Sequence, residues 1–133
     1  MRWNLLKTYD KIYTIDLHGN AKKKETCPDG SPDINVFDIQ QGVSINLFIK
    51  TGKKKESEQG KVFHYDLFGD REHKYLFLKD RNIFSLKFQK ILFSSPFYFF
   101  KPKDEKGRLV FDKGFKLSDA FLTNTVGLVT AND

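Results

Sequence analysis

Apolar and polar positions follow two different periods along the first fifty residues. Trp3, Leu5, Leu6 and Tyr9 recur at helical spacing, so residues 2–10 read as the tail of a helix. A helix that starts at residue 2 without a capping side chain is expected of a piece cut from a longer chain. Residues 11–17 (KIYTIDL) are β-rich and apolar at alternate positions, and read as a strand. His18-Gly19-Asn20 ends it, because Gly and Asn tolerate the positive φ of a sharp exit. Residues 21–34, with three lysines, two prolines and a glycine, read as a loop, and one of that length is usually functional or mobile. Order resumes at 35–39. Gly42 permits a turn before residues 43–50 (VSINLFIK), the clearest strand in the chain.

The polar stretch 51–61 and a further strand at 62–67 (VFHYDL) predict an antiparallel hairpin with a long tip, formed with residues 43–50. The pattern is weaker beyond it. Residues 69–78 suit a short helix, 83–88 a strand, and 94–103 an aromatic, proline-bounded extended segment packed on a core. The last thirty residues carry Gly107, Gly114 and Gly127 between short apolar pieces, without a closing element. Neither an internal repeat nor a low-complexity tract is present.

Composition narrows the class. The 133 residues suffice for one domain with a modest core. A net charge of +6 suits a polyanionic partner, and equally a lysine-rich surface. Fourteen phenylalanines against one Met and one Trp mean that Phe, Leu and Ile supply the apolar area. Cys27 is the single cysteine, which excludes an internal disulfide; flanked by Thr26 and Pro28, it reads as a bystander. No apolar run nears the roughly 18 residues of a membrane span, and the N-terminus has no signal layout, so a cytoplasmic protein without membrane contact is expected.

The blocks IYTIDLHGN (12–20), NVFDI (35–39) and GVSINLFIK (42–50), preceded by residues 2–6, resemble a segment of large single-chain bacterial restriction–modification enzymes whose methyltransferase modifies the amino group of adenine. Residues 62–69 with Arg71, Glu72 and Lys74, then Ser95-Pro96 and residues 126–133 (VGLVTAND), match less sharply. The resemblance implies an α/β fold: part of a Rossmann-like, S-adenosylmethionine-dependent methyltransferase sheet, with an antiparallel hairpin and an irregular C-terminal extension. It makes 11–17 a late strand of that sheet and 43–50 its neighbour. Residues 1–60 would be the C-terminal part of the catalytic domain, and 61–133 an extension leading towards target recognition. Its implied partners are double-stranded DNA and the rest of the methyltransferase chain, and an exposed sheet edge would invite self-association.

The family's machinery for chemistry is missing from the chain. No two glycines stand in the GxG spacing of the turn that approaches S-adenosylmethionine. Pro28, Pro32, Pro96 and Pro102 are nowhere adjacent, so the Asn/Asp-Pro-Pro-aromatic loop is absent as well. Cofactor and catalytic residues therefore belong to a parent enzyme, and the segment alone is expected to be inactive.

Phe37 is the candidate for the target base. Enzymes that act on a base flip it from the stack and hold it between apolar faces, and the resemblance places a stacking aromatic at Phe37; the alternative is a core plug. Lys22, Lys23 and Lys24 are the candidate DNA-backbone contacts, because they lie in the loop leading to Phe37 and can release counterions from phosphate. Lys53, Lys54 and Lys55 form a similar run; a solvated loop is the alternative for both. His18 reads as a hydrogen-bonding strand end, and His64 and His73 as surface groups whose spacing suggests no shared metal. Phe93, Phe97, Tyr98, Phe99 and Phe100 suit packing better than base stacking. Two rival functions stand beside the resemblance: a stand-alone nucleic-acid-binding module, and a metal-dependent nuclease built from Asp29 or Asp33 with Glu72 and Lys74.

Overall fold

The computed structural model describes residues 1–104, 106–115 and 119. Two compact units divide between Pro102 and Lys103. The first holds a four-stranded mixed sheet in the order β2-β1-β3-β4, formed by Lys11–Asp16 (β1), Ser44–Ile49 (β2), Lys61–Asp66 (β3) and Gln89–Ile91 (β4). Helix α1 (Arg2–Thr8) precedes β1, and α2 (Arg71–Asp80) follows β3. In the second unit the described part contains α3 (Arg108–Asp112), with Arg108 and Asp112 paired at i,i+4. The expectations for Gly127 and residues 126–133 lie outside the described residues.

The sheet is mixed because β1 and β3 run parallel while β2 and β4 run antiparallel to their neighbours. Residues 43–50 indeed lie beside the first strand. The hairpin expected between β2 and β3 is not formed: β1 lies between them and is hydrogen-bonded to both. Local alternation fixes which face a residue takes, but not which strand its own strand will pair with, and β1 offers both edges. Among the described residues β2 pairs with β1 alone, which leaves its outer side as a sheet edge.

Alternation along β1 and β3 sends Ile12 and Val62 to one face, where they meet Leu6 of α1 and Ile91 of β4. Ile15 faces the opposite way and joins Leu17, Val36 and Leu67 beneath Phe77 and Leu78 of α2. α2 starts where Asp70 accepts a hydrogen bond from the His73 amide, with Glu72 in the first turn opposing the helix dipole. Residues 83–88 hold no strand: 83–85 form a turn, which Asn82 caps by accepting from the amides of Phe84 and Ser85, and the strand begins only at Gln89. Phe93, Tyr98 and Phe100 pack against the α1-side core, as expected of the aromatic segment. Among the described residues no helix is long and apolar enough to cross a membrane.

Candidate nucleic-acid interface

The loop between β1 and β2 is built, not slack. Asn20 accepts from the Lys23 amide and starts a short 3-10 turn over Ala21–Lys23, which leaves Lys22, Lys23 and Lys24 exposed. Thr26 bridges Pro32, and Cys27 is buried, its thiol donating to the Pro32 carbonyl.

Beyond Pro32 the backbone is held from two sides. Asp33 accepts from the amides of Gly19 (2.5 Å) and Gly69 (2.9 Å), and pairs with Lys74. The Asn35 amide group donates to the carbonyls of Gly19 and Gln41, while its oxygen accepts from the Phe37 amide at 2.8 Å. Three residues of one α2 face then seize successive parts of the loop. Lys74 donates to the carbonyl of Ile34 (2.7 Å), Arg71 to that of Asn35 (3.0 Å) and Tyr75 to that of Val36 (2.7 Å). Arg71 also pairs with Asp38 at 2.6 Å.

The outcome at Phe37 is an aromatic ring 55 % exposed on a fixed backbone. It lines an open recess of about 320 Å³ with Ala21, Asn35, Ile39 and Arg71. Phe37 is thus not a core plug. Ala21 at the rim begins the turn that carries Lys22 and Lys23, so the aromatic and the lysines share a neighbourhood. The second lysine run is separate: Lys54 donates to the carbonyls of Lys7 and Glu58 across the 51–61 turn.

Tyr75 is the residue that the sequence reading missed, and Arg71 and Lys74 were named there without this role. Of the nuclease set the structure brings Asp33 and Lys74 together, but without Glu72 or Asp29. Lys74 spends its three N–H groups on Asp33, Leu17 and Ile34, Glu72 is exposed, and Asp29 is engaged by Ser31.

A second cluster lies at the carboxyl ends of β1 and β3. Asp16 and Asp66 are register partners there, and Thr14 and His64 face each other one step earlier. His64 is buried, contrary to the surface position expected of it, because this sheet face continues from the Ile12–Val62 core. His18, at φ 52°, turns its ring back over the strand ends and stacks on Phe68 with centroids 3.9 Å apart. Its Nδ1 lies 2.8 Å from Glu25 and its Nε2 2.8 Å from Asp66. Both ring nitrogens thus face carboxylate oxygens, which only accept when ionised, an arrangement that favours the protonated ring. Burial pushes its pKa down, but Glu25, Asp16 and Asp66 outweigh that and hold it above the ordinary histidine value. Burial pushes Glu25 and Asp66 up; the histidine hydrogen bonds outweigh it and hold both below the usual carboxylate range. His64 Nε2 meets the same Asp66 oxygen at 2.9 Å. Sequence spacing pointed to no shared centre for the histidines, yet the parallel pairing of β1 and β3 brings two of them onto one carboxylate. Asp16, His64 and Asp66 each offer one ligand atom within 4.8 Å of the others.

No family model and no curated protein matches this chain. Solved structures do. The Type ISP restriction–modification enzyme LlaBIII, ATP-dependent and bound to DNA, matches 71 % of this chain at 29 % identity with a TM-score of 0.59. DrdV in its DNA complex matches the same share at 23 % identity and TM-score 0.56. A nuclease-deletion mutant of the Type ISP enzyme LlaGI, with a DNA substrate mimic, does so at 18 % and 0.53. The match spans 6 % of the LlaBIII chain, 9 % of DrdV and 8 % of LlaGI. The fold resembles a small domain of multi-domain Type ISP restriction–modification enzymes.

Proposed function

We propose that this chain is part of a DNA N6-adenine methyltransferase of a restriction–modification system and supplies contacts to the target base and to the DNA backbone. One observation supports the reading: Phe37 is half exposed at the rim of a recess while the peptide group that precedes it is hydrogen-bonded at both its N–H and its C=O. A ring kept in water by a rigid loop suits a planar apolar ligand, and a flipped base is one. Lys22, Lys23 and Lys24 contact the phosphates on either side of it. In this reading residues 1–60 close the catalytic domain and residues 61–133 lead towards target recognition, after β3 has joined the sheet. The outer edge of β2 pairs with the remainder of the enzyme or with a second copy. S-adenosylmethionine is bound elsewhere in the parent protein: the chain lacks the glycine-rich turn for it, and no step of methyl transfer is assigned to these residues.

A tryptophan reporter tests the base contact. In a Trp3→Phe, Phe37→Trp variant, fluorescence is quenched by an adenine-bearing single-stranded oligonucleotide and unchanged by an abasic one of equal length. In the native background Phe37→Ala weakens binding about 5- to 150-fold, the range expected for one stacked base. Equal quenching by the abasic strand removes Phe37 from the base. A coding sequence upstream of Met1 without a glycine-rich cofactor motif and an Asn-Pro-Pro-Tyr motif removes the methyltransferase assignment.

The stand-alone nucleic-acid-binding module is the second reading, favoured by the exposed lysines beside Phe37. It requires tight, steeply salt-dependent duplex binding by this chain alone, whereas the methyltransferase reading requires weak binding.

A further inference from the structure

The carboxylate–histidine cluster is not used by the reading above, and its chemistry is of a different kind. We propose that Asp16, His64 and Asp66 form a site for one divalent first-row transition cation, with Zn²⁺ the type case.

Position is the first argument. Asp16 and Asp66 are the last residues of the two parallel strands, in register and on the face that also carries His64. The carboxyl ends of parallel strands are where open α/β sheets collect ligands. One ligand atom from each residue lies within 4.8 Å of the other two. Tetrahedral zinc with bonds of about 2.0–2.2 Å holds its ligand atoms roughly 3.3–3.6 Å apart, so side-chain movements of about 1 Å close the site.

Charge is the second argument. Asp16, Glu25 and Asp66 bring three carboxylates to a partly buried corner, and every ion pair that they make among the described residues is with a histidine. Neither lysine nor arginine pairs with these carboxylates among the described residues, so the corner favours a cation.

The third argument is an atom. The His64 ring is 2 % exposed, and its Nδ1 is the buried side-chain nitrogen without a hydrogen-bond partner among the described residues. Native proteins rarely leave such a group unmatched. The same ring and Asp16 line an open recess of about 350 Å³, whose wall also carries Thr14, Asn46, Arg2 and Lys101. Imidazole with carboxylates selects zinc-like ions over Ca²⁺ and Mg²⁺, which prefer all-oxygen shells. Once bound, the ion ties β1 to β3, and through Asp66 and His18 to Glu25 of the lysine loop.

The test uses the whole chain, stripped with EDTA and dialysed against Zn²⁺ or Mg²⁺. One equivalent of zinc is retained, and Tm rises by about 10 °C at a free concentration about 100-fold above Kd. Mg²⁺ does neither at the same concentration. Asp16→Asn lowers zinc retention at least tenfold with an unchanged circular dichroism spectrum, while Cys27→Ser and His73→Gln keep full retention. Co²⁺ gives a visible spectrum of mixed nitrogen and oxygen ligation that Asp16→Asn abolishes. Retention below a tenth of an equivalent in the native chain, or full retention in Asp16→Asn, overturns the assignment.

Discussion

Lys74 and Asp33 form a 2.8 Å ion pair in which both side chains are fully buried. The pair is saturated: Lys74 also donates to the carbonyls of Leu17 and Ile34, and Asp33 also accepts from the amides of Gly19 and Gly69. Six separate backbone or side-chain groups thus meet at one point under the β1–β2 loop. Lys74→Met removes the charge and leaves Asp33 buried without its partner, which costs about 3–5 kcal/mol. Urea unfolding measures it, and the Asp33→Asn, Lys74→Met double variant is expected to recover part of the loss. A loss below about 1 kcal/mol for Lys74→Met contradicts the arrangement.

Asn35 is the positioning residue for Phe37. Asn35→Ala deletes its bonds to Gly19, Gln41 and the Phe37 amide, at a cost of about 2–4 kcal/mol for three net hydrogen bonds in a buried site. Phe37→Ala, by contrast, changes stability by less than about 1 kcal/mol because the ring is half in water. Paired denaturation curves separate the two. Similar losses in both variants would mean that Phe37 is packed after all.

Gly19 and Gly52 both have φ of +74°, but only Gly19 is crowded. A methyl group at Gly19 collides with the backbone of Asn35, whereas nothing lies within 4 Å of one at Gly52. Gly52→Ala is expected to cost about 1 kcal/mol for the left-handed conformation alone. Gly19→Ala costs at least about twice that, and thermal melts of the two variants compare them directly.

The stability of the apo protein follows pH through His18 and its carboxylates. The raised pKa of His18 makes a contribution that is complete below the unfolded value of about 6.5 and is lost as pH rises through the folded value. Glu25 and Asp66 are lowered, so theirs is present above about pH 4 and lost as pH falls through their folded values. With chelator present, urea midpoints are highest between about pH 5 and 6.5 and decline on both sides. His18→Gln flattens the alkaline decline; an unchanged decline in that variant places its origin elsewhere.

β1, β2, β3 and α2 were legible because each rests on local alternation, helical period or a cap, whereas the three-residue β4 was misplaced to 83–88. β1 was bounded to within a residue, and His18 took its expected place as a hydrogen-bonding strand end. Pairing was not legible. VSINLFIK and VFHYDL look like hairpin partners in one dimension, and only the two free edges of β1 decide otherwise. The same insertion explains His64: one step along β3 from the Val62 core, it is buried because β1 lies beside it. Asp33 and Lys74 were set together only as parts of a nuclease. That they form a buried structural ion pair was not legible, because Asp33 lies forty-one positions away and burial shows only in three dimensions.

The hold of Arg71, Lys74 and Tyr75 on the backbone of residues 34–36 also has a thermodynamic consequence. The loop beneath Phe37 loses its freedom when α2 docks, so a ligand that stacks there meets little further ordering entropy. Association at Phe37 should then be fast, with a small heat-capacity change set by the ring's own area and not by a folding loop. Weakening the α2 grip would turn the same encounter into one coupled to local folding, slower and more sensitive to temperature.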